Sequence, residues 1–413
     1  MNKEFLDYVT HLPAVDAHEH LRLEEVRLKK KPDAIWLFHQ YANADLRSAG
    51  MSEATLAEVM DTARPLDLRW KKFKPFFERI RHTGYSMAVL YALRDLYGCE
   101  RLEDGTIRSV SERILAENKP GMIDRFLRQK GRITHILNAN YQTEQPTPYC
   151  SAVMPFFFLT ATLPHNPAAW VKELETVSGA PVTDAASCVE AIVALFRRYA
   201  AQRVVALKMI SFAWPAGSRS DADAALRKIR EGKSLSRDEA FLSSSFLMAE
   251  SLKRVPEFGF TVVAHCGYSS GVNYPFDGAN VRNMWPLMQA NPEVRFDLLH
   301  LNYPWVDEAI ATAKAYTNAH LNLAWLPILN PAVAERVVAE IVHCVPANKV
   351  LALGGDYWEL PDVAYGHLLL GRETLARGLD RCVEAGTLTY SEARRVAEMW
   401  LSENAFETYP LLK

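Results

Sequence analysis

The sequence predicts an α/β protein, a (β/α)8 TIM barrel with a large helical insertion after its first strand. Three observations carry that expectation. Eight short apolar runs recur along the 413 residues, at 14–17, 133–137, 151–158, 204–209, 260–264, 294–299, 320–326 and 350–353. Amphipathic stretches with helical spacing separate most of them, as at 185–201, 245–254, 305–316 and 330–342. Several runs end in a histidine, lysine or aspartate, residue types that gather at the C-terminal mouth of such a barrel.

The first run, Pro13-Ala14-Val15, leads directly into Asp16-Ala17-His18-Glu19-His20. The residues before it alternate charge with apolar side chains and lack a signal-peptide core. The stretch 21–132 then separates the first run from the second. It carries helical patterns at 53–60, 70–81 and 87–96, punctuated by Pro32, Pro65, Pro75 and Pro120. We read it as an insertion in the first βα loop that covers the barrel mouth. Because a strand precedes it, residues 1–413 are read as one domain with 21–132 inside it. The remaining runs are short, continuous and apolar, the pattern of parallel strands covered on both faces. Helical patterns at 364–385 and 391–404 form a closing segment.

Composition sets the class. The chain is 49% hydrophobic and 23% charged with a formal net charge of −2, an ordinary globular balance. That charge gives no support for a nucleic-acid partner or an anionic membrane surface. The run Arg27-Leu28-Lys29-Lys30-Lys31 reads as a solvated helix end. No apolar stretch reaches about 18 residues, the length a membrane-spanning helix needs. Six scattered cysteines, with no Cys-x-x-Cys pair, exclude a zinc ribbon or redox motif. The expected setting is cytoplasmic, and the expected partner is a small-molecule substrate. Gly-x-Gly-x-x-Gly and Gly-x-x-x-x-Gly-Lys are absent, so nucleotide chemistry has no support.

The chemistry-bearing residues sit at strand ends. Alternation along a strand points His18 and His20 the same way, so both can grip one divalent ion. His265 ends the run 261–264, His300 ends 296–299, and Asp356 follows 350–355. Imidazole and carboxylate donors suit Zn²⁺ first, with Mn²⁺ or Fe²⁺ as alternatives. Asp356 is expected both to hold the metal and to move the proton of an attacking water. The metal or His300 would polarise the scissile carbonyl. Lys208 ends the fourth run and is read as a substrate-carboxylate ligand. Arg47 offers a bidentate clamp to the same kind of group from the insertion. Asn138, Asn140, Asn302 and Asn330 are candidates for binding hydroxyls. Trp36, Trp214, Tyr268, Tyr303, Trp325, Tyr357 and Trp358 are candidates for stacking walls. Asp297 and Glu19 flank the ligands and are placed to orient a histidine.

At these motifs the chain resembles the amidohydrolase superfamily, in particular its amidohydrolase-related branch. The resemblance rests on Val15-Asp16-Ala17-His18-Glu19-His20, Val263-Ala264-His265-Cys266-Gly267, Phe296-Asp297-Leu298-Leu299-His300, Tyr303-Pro304-Trp305 and Gly354-Gly355-Asp356. It implies a metal held by His18, His20, His265 and Asp356. It also implies that His300 binds a second metal or touches substrate. Binuclear members carry a carboxylated lysine on the fourth strand, so one ion is expected here, and two if Lys208 is carboxylated.

More distantly the chain is similar to uronate isomerases of the same superfamily. Phe38-His39-Gln40-Tyr41 leading into Asp45-Leu46-Arg47, His82-Thr83-Gly84-Tyr85, and Asn404-Ala405 with Tyr409 carry that likeness. It departs from them at Trp358, where they have an arginine, and at His300, where they lack a histidine. The leading expectation is a metal-dependent hydrolase acting on an amide, ester or lactone of a small polar, carboxylated molecule. Uronate-type aldose–ketose isomerisation and non-oxidative decarboxylation are the alternatives, and a non-catalytic ligand-binding barrel is the alternative of another class. The fold also suits a homo-oligomer.

Overall fold

The computed structural model describes residues 2–156, 166–211, 213, 216–275 and 277–413. Eight strands lie in chain order in one sheet: β1 (Ala14–Glu19), β2 (Ile133–Asn138), β3 (Cys150–Pro155), β4 (Val204–Ile210), β5 (Thr261–His265), β6 (Arg295–Leu299), β7 (Ala319–Asn322) and β8 (Val350–Leu351). Every adjacent pair is parallel. The segment after β8 closes the circle against β1. Ala17 N donates to Leu353 O at 2.9 Å, Asp356 N to His18 O at 2.9 Å, and His20 N to Tyr357 O at 3.1 Å. The architecture is a TIM barrel.

Apolar side chains fill the barrel interior. Val15, Leu137, Val153, Val205, Val263 and Leu351 share one buried cluster, joined by Tyr409 and Leu412 from the C-terminal segment. The larger clusters lie between strands and helices, where near-continuous apolar runs are buried on their outer face as well. Register places Lys208, Val263 and Asp297 side by side across β4, β5 and β6.

Helices occupy the chain between β1 and β2, including Glu53–Met60, Leu66–Ile80 and Gly84–Tyr97. The last starts at a Thr83 cap and packs against the long helix Pro361–Glu384. That crossing needs Gly366, because a Cβ there would lie 2.0 Å from Ala88 O. Leu66–Ile80 begins earlier than the pattern 70–81 suggests, with Pro65 as its cap. Similarly, Arg237–Leu252 begins before 245, at a Ser236–Glu239 capping box. Residues 139–149 join β2 to β3 with no helix.

Three expectations need correction. The run 320–326 is not all strand: β7 ends at Asn322, Trp325 takes φ 67°, and Leu326–Leu329 is a helical turn. The run 151–158 is strand only to Pro155, and residues 157 and 158 lie outside the described residues. Arg27 is not solvated. It is 3% exposed, pairs with Asp362 at 2.9 Å and lies over the Trp36 ring. Among the described residues, no helix is long and apolar enough to cross a membrane.

Candidate metal centre

β1 is buried along its length, and His18 and His20 at its end set their rings 4.9 Å apart. Closure of the barrel brings Asp356 to them from the far end of the chain. Asp356 Oδ1 lies 3.3 Å from His20 Nε2 and 3.7 Å from His18 Nε2. One donor atom from each of His18, His20 and Asp356 lies within 4.8 Å of the others. His265 is outside that group and pairs instead with His300, whose Nε2 stands 3.1 Å from His265 Nδ1 and 3.8 Å from Asp356 Oδ2.

Backbone carbonyls decide which imidazole nitrogens face inward. His20 Nδ1 donates to Ala139 O at 2.6 Å, and His300 Nδ1 to Ala324 O at 2.8 Å. His265 Nε2 donates to Tyr268 O at 3.1 Å, with Ser269 Oγ at 3.0 Å. Burial drives all these rings to the neutral form: His20 and His265 are lowered to about 3, and His18 and His300 fall well below their usual value. A neutral imidazole has one N–H, so His20 Nε2, His300 Nε2 and His265 Nδ1 are lone pairs. Two of them face each other at 3.1 Å, and His18 Nδ1 is buried with no hydrogen-bond partner among the described residues. Converging lone pairs beside a carboxylate are the donor set of a divalent cation, and carbonyl-anchored imidazoles are typical of metal ligands. The residues present therefore fit a metal.

Lys208 sits against this group. It is 4% exposed, and its Nζ is 2.9 Å from His18 Nε2. Burial lowers its ammonium to about 8, against the opposing pull of Asp356 and Asp297. Beneath it, Asp297 accepts from Asn322 Nδ2 at 2.8 Å and from the Tyr409 hydroxyl. Burial raises Asp297 to about 6 despite these donors.

Asp356 is held in an unusual conformation. Its φ is 65°, a region that non-glycine residues visit at a cost of about 1–3 kcal/mol. Two donors from the segment between β1 and β2 grip its own carbonyl: the Tyr41 hydroxyl and Gln40 Nε2, the latter at 3.2 Å. Gln40 Oε1 also accepts from Trp358 N at 3.2 Å. On the other side, Gly355 N donates to Asp16 Oδ1 at 3.2 Å and His367 Nδ1 donates to Gly355 O at 2.9 Å. Tyr357 N donates to Glu19 Oε2 at 2.6 Å. A side chain at position 355 would displace Glu19, since a Cβ would fall 1.9 Å from Glu19 Oε1. Asp16 and Glu19 are fully buried and interact with each other, and burial raises both carboxyls, Asp16 to about 7. His300, Leu301, Asn302 and Trp325 likewise take positive φ, so strained backbone concentrates at this end of the barrel.

Other sequence-selected residues are engaged elsewhere. Arg47 pairs with Glu53 at 2.9 Å, and no hydrogen bond or ion pair among the described residues joins it to the group above. Asn138 and Asn140 both donate to Leu21 O, Asn302 accepts from Val281 N, and Asn330 caps a helix. Trp325 and Tyr357 are buried; Trp358 is 47% exposed, and Trp214 lies outside the described residues. Sequence reasoning missed the roles of Gln40, Tyr41, Ser269 and His367. Only Gln40 and Tyr41 carried a signal, the motif Phe38-His39-Gln40-Tyr41. An open cavity of about 550 Å³ adjoins the group, lined by His20, Arg22, Tyr141, Gln142 and Trp358 among others.

No family model matches the chain. Protein fluG of Emericella nidulans is 27% identical over 135 residues, 32% of this chain; the chain matches about 15% of the length of that curated relative. Among solved structures, uronate isomerase from Thermotoga maritima superposes with a TM-score of 0.79 at 15% identity, covering 98% of this chain and 96% of that one. A Lactobacillus casei protein, itself only proposed to be a metal-dependent hydrolase, superposes with a TM-score of 0.64 at 15% identity, covering 99% of both chains. At such identities the likeness shows the fold.

Proposed function

We propose that the chain is a metal-dependent enzyme of the amidohydrolase superfamily that hydrolyses an amide, ester or lactone bond in a small polar, carboxylated molecule. One observation carries the reading: Asp356 turns one carboxylate oxygen to His18 and His20 and the other to His300. His18, His20 and Asp356 Oδ1 would hold the cation, while His300 stands by the other Asp356 oxygen with His265 beside it. A divalent ion bound there supplies Lewis acidity, polarising a carbonyl and acidifying water.

The protein's own groups do the rest. Asp356 Oδ2 is free to take a proton from water and return it to the leaving group. His300 presents Nε2 because Ala324 O holds its Nδ1–H, so it meets substrate through a fixed atom. Ala139 O likewise holds the Nδ1–H of His20 and leaves its Nε2 toward Asp356. Lys208 adds a fixed positive charge beside His18, suited to a substrate oxygen that gains negative charge.

Uronate isomerisation is the second reading. It is favoured by the near full-length likeness to the Thermotoga maritima uronate isomerase. One experiment separates the two. Purified protein loaded with Zn²⁺ or Mn²⁺ is incubated in ¹⁸O-labelled water with a panel of uronate lactones and with free D-glucuronate. Hydrolysis places the label in the product carboxylate. Conversion of D-glucuronate to a ketose, with no turnover of any lactone, refutes the hydrolase and supports the isomerase.

A further inference from the structure

We infer that Arg22 is the carboxylate anchor of the substrate cleft, held in place by Glu359. The inference rests on the proposed metal-dependent reading of the same mouth. It begins with the strand. β1 continues past its last assigned residue as a hydrogen-bonded ribbon: His20 N donates to Tyr357 O at 3.1 Å and Arg22 N to Trp358 O at 2.9 Å. His20 and Arg22 line the same cavity, which puts Arg22 on the His20 side, about 7 Å farther along the chain. Arg22 is therefore fixed by backbone pairing, unlike a residue on a free loop.

Its side chain stands in the open cavity of about 550 Å³ that begins at His20. Among the described residues lining that cavity, Arg22 is the one with a full charge. Glu359, whose side chain is 13% exposed, takes Arg22 Nη1 at 2.7 Å. A guanidinium has five N–H groups. Nε and Nη2 of Arg22 make no hydrogen bond among the described residues, and the side chain is 54% exposed. Glu359 thus orients the fork and leaves part of it for a ligand, the geometry suited to a carboxylate.

The remaining walls define the rest of the ligand. Trp358 and Tyr141 are 47% and 40% exposed, and the Tyr141 ring lies 5.9 Å from that of His20. Two accessible aromatic faces next to the metal group suit the flat C–H face of a sugar-like ring or chain. Gln142 is exposed at the rim with an amide for hydroxyls. The class is a hydroxylated monocarboxylate of a few carbons, with its carboxylate on Arg22 and its reacting end over His20. Arg22 replaces Arg47 as the arginine for this task.

The test is calorimetric binding of D-glucuronate, D-gluconate and glycolate, with D-glucose as the uncharged control, to metal-loaded wild type, Arg22→Met, Arg22→Lys and Glu359→Gln. Metal per chain is measured on each. Wild type should bind at least one acid and discriminate against D-glucose. Arg22→Met should lose at least tenfold in affinity for that acid with unchanged metal content, and Arg22→Lys should lose less. Glu359→Gln should weaken binding severalfold through a less ordered fork. The assignment is overturned if wild type binds none of the three acids, if Arg22→Met binds them as well as wild type, or if Arg22→Met loses the metal. Arg22-dependent binding without hydrolysis or isomerisation would leave the anchor standing and sink the proposed reaction instead.

Discussion

Tyr41→Phe tests whether the segment between β1 and β2 belongs to the metal centre. The change removes one hydroxyl and keeps the ring, which packs against Tyr85, Trp325 and Tyr357 at centroid distances of 5.5, 5.0 and 5.2 Å. What disappears is one of two donors to the Asp356 carbonyl; Gln40 remains. Losing a buried hydrogen bond of this kind costs about 1–2 kcal/mol. The cost should fall on the conformer with Asp356 at φ 65°, because the two donors are what oppose its strain. A loss of about 1.4 kcal/mol confined to that conformer lowers metal affinity about tenfold. Competition against a chromophoric chelator reads the affinity, and urea denaturation of the chelated protein reads the stability. If Tyr41→Phe loses stability by about 1 kcal/mol yet binds metal within twofold of wild type, the hydroxyl merely supports the fold. The insertion would then have no part in the centre.

Three further outcomes are expected. Asp356→Asn and His20→Ala should drop metal per chain below about a tenth of wild type, while Arg47→Ala leaves it unchanged and alters stability by under about 1 kcal/mol, as befits a surface pair; elemental analysis and denaturation read both. Gly355→Ala should cost about 1–3 kcal/mol, because its Cβ would meet Glu19 Oε1 at 1.9 Å and the buried Glu19 carboxyl or the Asp356 loop must shift; denaturation of the chelated protein reads this. Acidification from pH 6.5 to 5 should destabilise the chelated protein. His18, His20, His265, His300, His320 and His367 stay neutral in the folded chain and protonate in the unfolded one, so stability falls with pH at about 1.4 kcal/mol per unit for each. Asp16, Glu19, Asp297 and Asp356, whose folded values are raised, act in the opposite sense and offset most of this. The histidines outnumber the acids, so the net is a fall, and a rise in the denaturation midpoint on acidification would contradict it.

Much of the barrel was legible because parallel strands covered on both faces leave continuous apolar runs with polar ends. The same signal misled at 323–326. Leu323, Ala324, Trp325 and Leu326 are all buried, yet the backbone turns at Trp325, and burial alone cannot distinguish a strand from a buried turn. His18, His20 and Asp356 could be selected from alternation and strand-end position. Their supports could not. Tyr41 and Gln40 reach Asp356 across more than three hundred residues, a contact that no local pattern encodes. Arg27 failed for the same reason: its partner Asp362 is equally remote, so a basic run looked solvated. Arg47 is the opposite case, pairing with Glu53 only six residues on.

The seam of the barrel joins the beginning of the chain to its end, and the candidate donors straddle it: His18 and His20 on one lip, Asp356 on the other. A cation shared between the lips would act as a clasp. Tying residues this far apart removes at most about 6 kcal/mol of freedom from the unfolded chain. Chelation should then loosen the whole cylinder along that line, and hydrogen exchange should rise first in β1 and the 352–358 segment.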